Sequence, residues 1–197
     1  MNGINKTVIV ALCIVAFILL SFSGCYNNFV SRQETANEAF ANVQATYQRR
    51  ADLIPSLVET VKGYAKHESQ TLENVISARA KATQMTIDAS TATPEQIAAF
   101  QKAQGELSQA LGKLLAISES YPDLKASKNF SDLQVQLEGT ENRINEARQK
   151  YNIAVKNYNT SIRSFPGNMI AGMFGFDKMT PFEADTNAQK APEVKFD

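Results

Sequence analysis

The chain has 197 residues, with 20 basic and 20 acidic side chains, one histidine and two cysteines. This length suits one self-sufficient domain, and the balanced charge argues against a nucleic-acid-binding protein, which needs a basic surface to replace the counterions of phosphates. Both cysteines, Cys13 and Cys25, lie in or just after an N-terminal apolar run. The folded part is therefore predicted to have no disulfide, no metal site and no cofactor.

The N-terminal segment, residues 1–25, is predicted to be a signal or anchor. Its apolar run, 8–22, has the length of a signal peptide and is shorter than the about 20 residues that a transmembrane helix needs. The run closes with FSGC (22–25), which resembles the processing site of bacterial lipoproteins. Two alternatives follow, namely lipid attachment at Cys25 after cleavage, or an uncleaved single-pass anchor. The positive start before the run favours a cell-membrane protein whose domain lies on the non-cytoplasmic side.

The first helix is predicted to run from Phe29 to Tyr64, because steps of four and three residues follow one mostly apolar stripe. Pro55 lies inside it. A proline removes one backbone donor from a helix, so a kink or a local break is expected near residues 51–54. The stripe consists of Phe29, Gln33, Ala36, Phe40, Val43, Tyr47, Arg50, Ile54, Leu57, Val61 and Tyr64.

The second helix is predicted over about 68–90 and the third from Pro94. Thr93 suits the N-cap of the third helix, Pro94 suits its first position, and Gln96 completes a capping box. Its apolar stripe reaches Tyr121, where Pro122 stops it, and a loop follows over 122–128.

The fourth helix, from Phe130 to Phe165, has the most regular apolar repeat, and PG (166–167) ends it. Four helices with one apolar stripe each and short links predict an all-α, up-and-down antiparallel four-helix bundle over 26–166, with long first and fourth helices. The C-terminal tail, 167–197, contains isolated aromatic residues and is predicted to pack back on the bundle; a patch that touches the membrane is the alternative.

Several polar side chains lie at unusual positions. Arg50 falls on the apolar stripe, so it must pair with a carboxylate or with carbonyl groups freed near Pro55. No catalytic motif is recognised, and no catalytic residue is predicted. The predicted polar cluster, structural or interacting, consists of Arg49, Arg50, Asp52, His67, Glu68 and Arg79.

Several stretches of the chain resemble the bacterial LemA family. They are YQRRADLIPSLVETVKGYAKHE (47–68), ARAKA (78–82), GELS (105–108), YPDLKA (121–126), LEGTENRI (137–144), YN (151–152) and FP (165–166). The resemblance implies a membrane-associated protein with a short N-terminal anchor, a four-helix soluble domain and no established enzyme activity.

The sequence thus predicts a non-enzymatic, membrane-tethered interaction or scaffold protein of the cell envelope. Its predicted partners are the membrane and an envelope protein, without nucleic acid, and its oligomeric state is left open. The alternative is a ligand-binding or hydrolytic domain that uses His67 and Glu68 with Arg49 and Arg50. His67 enters that alternative because its imidazole titrates near neutral pH.

Overall fold

The computed structural model describes residues 6–65 and 67–183, and the secondary structure of these residues is helical, without a strand. The all-α class is therefore confirmed. Two short helices were not predicted, one inside the expected loop 122–128 and one in the C-terminal tail. The helices are α1 (Lys6–Tyr64), α2 (Ser69–Gln84), α3 (Pro94–Ile117), α4 (Pro122–Lys125), α5 (Lys128–Arg163) and α6 (Gly167–Phe174), with a 3-10 turn at Ser118–Ser120.

The apolar run and the first bundle helix form one uninterrupted helix, α1. Its N-terminal part is long and apolar enough to cross a membrane, and none of that apolar stretch is buried. A signal sequence is also apolar and exposed in this way. From Phe29 onward the predicted stripe turns inward and is largely buried. The helix also passes Pro55 without interruption, so the expected local break is absent.

The two longest helices, α1 and α5, pack against each other in opposite directions. Arg32 of α1 donates a hydrogen bond to the carbonyl of Asn157 in α5, and Arg50, further along α1, bonds Glu141, earlier in α5. The partner numbers fall as the α1 numbers rise, so α1 and α5 are antiparallel. Helix α2 packs against both α1 and α3.

The ends of the middle helices follow local side-chain chemistry. The predicted capping box of α3 is confirmed, since the Thr93 hydroxyl accepts from the Gln96 amide and the Gln96 side chain accepts from the Thr93 amide. Helix α2 ends at Gln84, earlier than the predicted 90. Shortly after it, the Asp88 carboxylate accepts hydrogen bonds from the backbone and the hydroxyl of Ser90, which favours a turn over a further helical turn.

The buried apolar side chains form two cores along the bundle axis. The core nearer the apolar run is rich in aromatic rings, whereas the core at the far end is almost entirely aliphatic. Members of the aromatic core include Phe29, Phe40, Tyr47, Phe100, Tyr151, Tyr158 and Phe182. Members of the aliphatic core include Ile54, Leu57, Val61, Leu107, Leu114, Leu124 and Leu137.

Candidate functional site

A layer of buried polar side chains lies between the two cores. Arg50 of α1 is only 2% exposed, and Gln104 of α3 and Thr140 of α5 are also buried. Each of the three lies between a residue of the aromatic core and a residue of the aliphatic core on its own helix. Arg50 follows Tyr47 of the aromatic core and precedes Ile54 of the aliphatic core on the same stripe. The layer therefore marks the level at which one kind of packing changes to the other.

The Arg50 guanidinium has four hydrogen bonds to oxygen atoms. Its Nη1 donates to Ser108 Oγ at 2.7 Å and to Glu141 Oε2 at 3.0 Å, and its Nη2 donates to the Gln104 carbonyl at 3.2 Å and to Gln104 Oε1 at 2.8 Å. The guanidinium carbon also lies 5.1 Å from the centre of the Tyr47 ring. Charge-assisted bonds of this kind offset the cost of burying a cation. Arg50 thus finds the carboxylate that its position on the stripe requires.

Gln104 extends this network to the second helix. Its Nε2 donates to the Ala82 carbonyl of α2 at 3.2 Å, while its oxygens accept from Arg50 of α1. Glu141 brings in α5 through its bond to Arg50. One hydrogen-bonded network therefore joins all four long helices at a single level.

Arg79 satisfies the carbonyl that Pro55 leaves free. In an unbroken helix the amide of residue 55 would donate to the carbonyl of residue 51, but proline has no amide hydrogen. Arg79 Nε of α2 donates to the Ala51 carbonyl at 2.8 Å instead, and Ala51 is buried. The sequence predicted that Arg50 would pair with a carboxylate or with such a carbonyl, and in the structure the carbonyl is bound by Arg79 instead.

The remaining members of the predicted cluster lie elsewhere. Arg49 and Asp52 are exposed on α1, where Asp52 accepts a hydrogen bond from Gln48. His67 is exposed beyond the end of α1, and that end, Tyr64, lies about 20 Å along the helix axis from Arg50. The structure therefore does not gather the six residues into one site.

Glu68 forms a separate contact at the far end of the bundle. It accepts a hydrogen bond from the Tyr121 hydroxyl at 3.1 Å. Loss of solvent around the phenol, together with the neighbouring carboxylate, raises the pKa of Tyr121. Within the described residues, no group of three His, Cys, Asp or Glu side chains is arranged to hold a metal ion.

The sequence analysis missed a site on α5 that holds the C-terminal segment. Asn159 donates from Nδ2 to the Met179 carbonyl at 2.8 Å and accepts from the Met179 amide at 3.0 Å. Asn152 does the same with Phe182, at 3.0 Å and 2.8 Å. Each side-chain amide thus replaces the backbone partner that an extended segment would find in a sheet.

Two tyrosines support the same segment. The hydroxyl of Tyr151 donates to the Thr180 carbonyl and that of Tyr158 to the Asp177 carbonyl, each at 2.9 Å. Burial raises the pKa of Tyr151 to about 12, and burial followed by the charge of Asp177 raises the pKa of Tyr158. The signal that could have revealed this site is the repeated Tyr-Asn pair, 151–152 and 158–159, at a spacing of one heptad.

The described part of the tail, up to residue 183, therefore contacts the bundle. Phe182 is buried among aromatic rings, with ring centres 5.9 Å from Phe40 and 5.2 Å from Tyr151, and the Arg148 guanidinium lies 5.2 Å from its ring centre. The prediction covered the tail to residue 197, and residues 184–197 lie outside the described residues.

A groove of about 560 Å³ runs between α1 and α5. Small side chains and charged side chains of both signs line it, including the Glu146–Lys150 ion pair at 2.7 Å. Arg49 follows Thr46, one of the lining residues, by three positions, so it extends the same face of α1. The lining residues include Glu38, Ala39, Asn42, Ala147, Lys150 and Ala154.

Stretches that carry the family resemblance meet in the polar layer. Arg50 belongs to YQRRADLIP, Ala82 to ARAKA, Ser108 to GELS and Glu141 to LEGTENRI, and all four residues join one hydrogen-bonded network. These features define an all-α protein with a polar layer inside a helical bundle and an N-terminal helix that could cross a membrane.

The chain belongs to the LemA family, whose profile matches residues 39–196. The predicted family is thereby confirmed. The chain is similar to magnetosome protein MamQ 2 of Paramagnetospirillum magneticum, at 27% identity over 89% of this chain and 71% of that protein. It is also similar to magnetosome protein MamQ of Magnetospirillum gryphiswaldense (27%, 87% and 69%) and to protein LemA of Metamycoplasma hominis (23%, 93% and 81%).

Proposed function

We propose that this protein is a non-enzymatic, membrane-tethered scaffold of the cell envelope, which holds a rigid helical bundle next to the membrane for a protein partner. The observation that carries the proposal is the continuity of α1, which has exposed apolar side chains before residue 22 and buried ones from Phe29 onward. In the uncleaved form this helix has no flexible linker between anchor and domain, and in the cleaved form the acyl chains would be attached to Cys25, about one helical turn before the buried stripe begins at Phe29. Either form of anchor would therefore hold the bundle close to the membrane surface.

The working unit in this proposal is an up-and-down four-helix bundle over residues 26–166, formed by α1 beyond the anchor, α2, α3 and α5. The antiparallel contacts of α1 with α5 support this topology, as does the polar network that joins the four helices. The positive start before the apolar run supports a bundle on the non-cytoplasmic side of the cell membrane.

Lipid attachment at Cys25 is the proposed mode of anchoring. The apolar run by itself, about fifteen residues, covers about 22 Å as a helix, which is less than the about 30 Å hydrocarbon core of a bilayer, so a span would have to include the polar residues that flank the run. The intact mass of the membrane-extracted protein tests this directly. A processed chain begins at an acylated Cys25, whereas a chain that keeps Met1 contradicts lipidation and leaves the uncleaved anchor.

The groove between α1 and α5 is the proposed contact surface for the partner. Its small side chains, Ala39, Ala147 and Ala154, allow close approach of another helix, and its charged side chains supply specificity through charges of both signs. Arg49 and Asp52 remain exposed further along α1, where they can add polar contacts.

A photo-crosslinking amino acid placed in the groove tests the scaffold function. It replaces Asn42, and a matched variant carries it at Lys113 on the exposed face of α3. In native membranes at native expression, the Asn42 position should give one adduct of defined mass that the Lys113 position does not give. Absence of an adduct, or the same adducts from both positions, contradicts the proposed surface.

A further inference from the structure

Exposed apolar side chains gather where α5 and α6 meet the anchor helix. We call Phe165, Met169, Met173 and Phe174 the α6 patch; these side chains are 82%, 62%, 70% and 55% exposed, respectively. Tyr26 and Val30 of α1 are also exposed near this end. Outside the apolar run, the other large exposed apolar side chains of the described residues stand singly, at Tyr64, Ile76, Val135 and Ile153.

Helix α6 is apolar on both faces except for the exposed Asn168. Its inner residues, Gly167, Ile170 and Ala171, are buried, while Met169 and Met173 point outward. No charged residue occurs between Arg163 and Asp177. A helix at a water-exposed surface normally has a polar outer face, and a helix that is apolar all round is typical of a protein core or of contact with lipid.

The patch lies at the level where the apolar run of α1 ends. The Tyr26 ring centre is 5.2 Å from that of Phe174 and 5.4 Å from that of Phe176. Tyr26 follows Phe22, the last residue of the run, by about 6 Å along the helix axis. A bilayer that contains the run would therefore have its surface close to α6.

We propose that α6 is a second, interfacial membrane contact, whose patch inserts Phe165, Met169 and Met173 into the boundary between lipid headgroups and acyl chains. Apolar faces of interfacial helices enter this boundary by about 5–10 Å, which matches the height of the patch above the run. The patch adjoins the anchor, so a bilayer that holds the anchor would lie next to it. Two points of contact, the anchor and α6, then fix the tilt of the bundle.

The inference rests on the proposed anchoring, but it does not depend on the mode. Cys25 follows Phe22 by three residues, about 5 Å along the helix axis, and an acylated Cys25 therefore places the bilayer surface at nearly the same level of α1 as an uncleaved run does. A protein partner or a second copy of the chain are the other occupants that an exposed apolar patch could have, and the experiment distinguishes them from lipid.

Tryptophan fluorescence in vesicles tests the contact, because the chain contains no tryptophan. The full chain is reconstituted into phosphatidylcholine vesicles as M173W, as M169W and, for control, as V135W, whose position is exposed on α5 toward the far end of the bundle. The vesicles carry bromine on the acyl chains either near the headgroup or near the methyl end. Flotation of the vesicles measures anchoring separately in each sample.

In chains that float with the vesicles, M173W and M169W should lose most of their fluorescence with bromine near the headgroup and much less with bromine near the methyl end. V135W should keep its fluorescence in both. Floating chains in which the patch tryptophans behave like V135W would overturn the α6 contact and leave the anchoring intact. A blue-shifted but unquenched M173W would show that protein covers the patch, which also overturns it. Chains that do not float overturn the anchoring and the α6 contact together.

Discussion

Arg79 of α2 donates a hydrogen bond to the Ala51 carbonyl of α1, which Pro55 is unable to do because it has no amide hydrogen. A side chain of one helix thus completes the backbone hydrogen bonding of another. This contact explains why α1 continues through its proline. It also ties α2 to α1 at Ala51, the residue directly after Arg50 of the polar layer.

The first prediction concerns this hydrogen bond. R79A should lower the free energy of unfolding by about 1–3 kcal/mol, because it leaves a buried carbonyl without a donor. In a P55A background the new backbone amide serves Ala51, and R79A should then cost clearly less. Urea unfolding of the detergent-solubilised full chain, followed by circular dichroism, gives the four values of this double-mutant cycle.

The matched control for R79A is K81A, two residues further along α2. Lys81 is exposed and forms only a surface ion pair with Glu106 at 3.8 Å, so its loss should change stability by less than about 0.5 kcal/mol. An R79A cost that is the same with and without Pro55 would show that the two residues are not coupled.

The second prediction compares two neighbouring arginines. R50A should destabilise the bundle by about 3 kcal/mol or more, since it removes a buried side chain and leaves Gln104 and Ser108 without a donor. R49A removes an exposed arginine from the same turn and should stay within about 0.5 kcal/mol of the wild type. E141Q should cost less than R50A, because its amide oxygen can still accept from Arg50, but more than R49A, because the buried guanidinium loses its counterion. Equal effects of R50A and R49A in urea unfolding would contradict the architectural role of the polar layer.

The third prediction concerns the side-chain amides that hold the C-terminal segment. N152A removes both bonds to Phe182, and N159A removes both bonds to Met179. Because a net hydrogen bond contributes about 1 kcal/mol, each change should accelerate amide exchange at its own partner about tenfold or more.

Hydrogen exchange measured by NMR resolves the two amides. The faster exchange should be strongest at Phe182 in N152A and at Met179 in N159A. N157A, at an exposed asparagine of the same helix, should leave both rates unchanged. Unaltered exchange in N152A and N159A would mean that the aromatic contacts of Phe182 alone hold the segment.

The fourth prediction is a loss of stability at alkaline pH. The pKa of Tyr151 is raised by burial to about 12 in the folded protein, from 10.0 for an exposed phenol. Below about pH 10 the phenol is neutral in both states, so Tyr151 causes no pH dependence there. Above that pH the unfolded state releases the proton while the folded state retains it, and stability falls by up to about 3 kcal/mol until about pH 12.

Unfolding of Y151F measures this contribution. The variant keeps the ring but has no ionisable group, so its stability should decline less steeply than that of the wild type above about pH 10. Part of the decline should remain, because burial also raises the pKa of Tyr47 and of Tyr158. A decline in Y151F as steep as in the wild type would exclude Tyr151 as a source.

The features that the sequence predicted correctly depend on neighbours in the chain. The capping box at Thr93 and Gln96 involves residues three positions apart, and the stripe of α1 follows from helical periodicity. The need of Arg50 for a partner could also be predicted, since a charge on an apolar stripe must be paired.

The features that it missed depend on contacts between distant parts of the chain. Arg50 bonds Ser108 and Glu141, which lie 58 and 91 positions away in the chain. From the sequence alone, many other carboxylates were equally suitable partners for its charge. The C-terminal segment has no period of its own, so its bonds to Asn152 and Asn159 become visible only once α5 is placed beside it.

The length of α1 also sets the height of each part of the bundle above the membrane. At about 1.5 Å per residue, the groove positions 35–46 stand about 20–36 Å beyond Phe22, and the end of the helix at Tyr64 stands about 63 Å beyond it. If the apolar run is held at the membrane, a membrane protein with only a short extramembrane domain can reach the groove but not the far end around Glu68. A partner that is itself anchored in the membrane holds its binding surface at a certain height above the bilayer. That height therefore determines which part of the bundle the partner can contact.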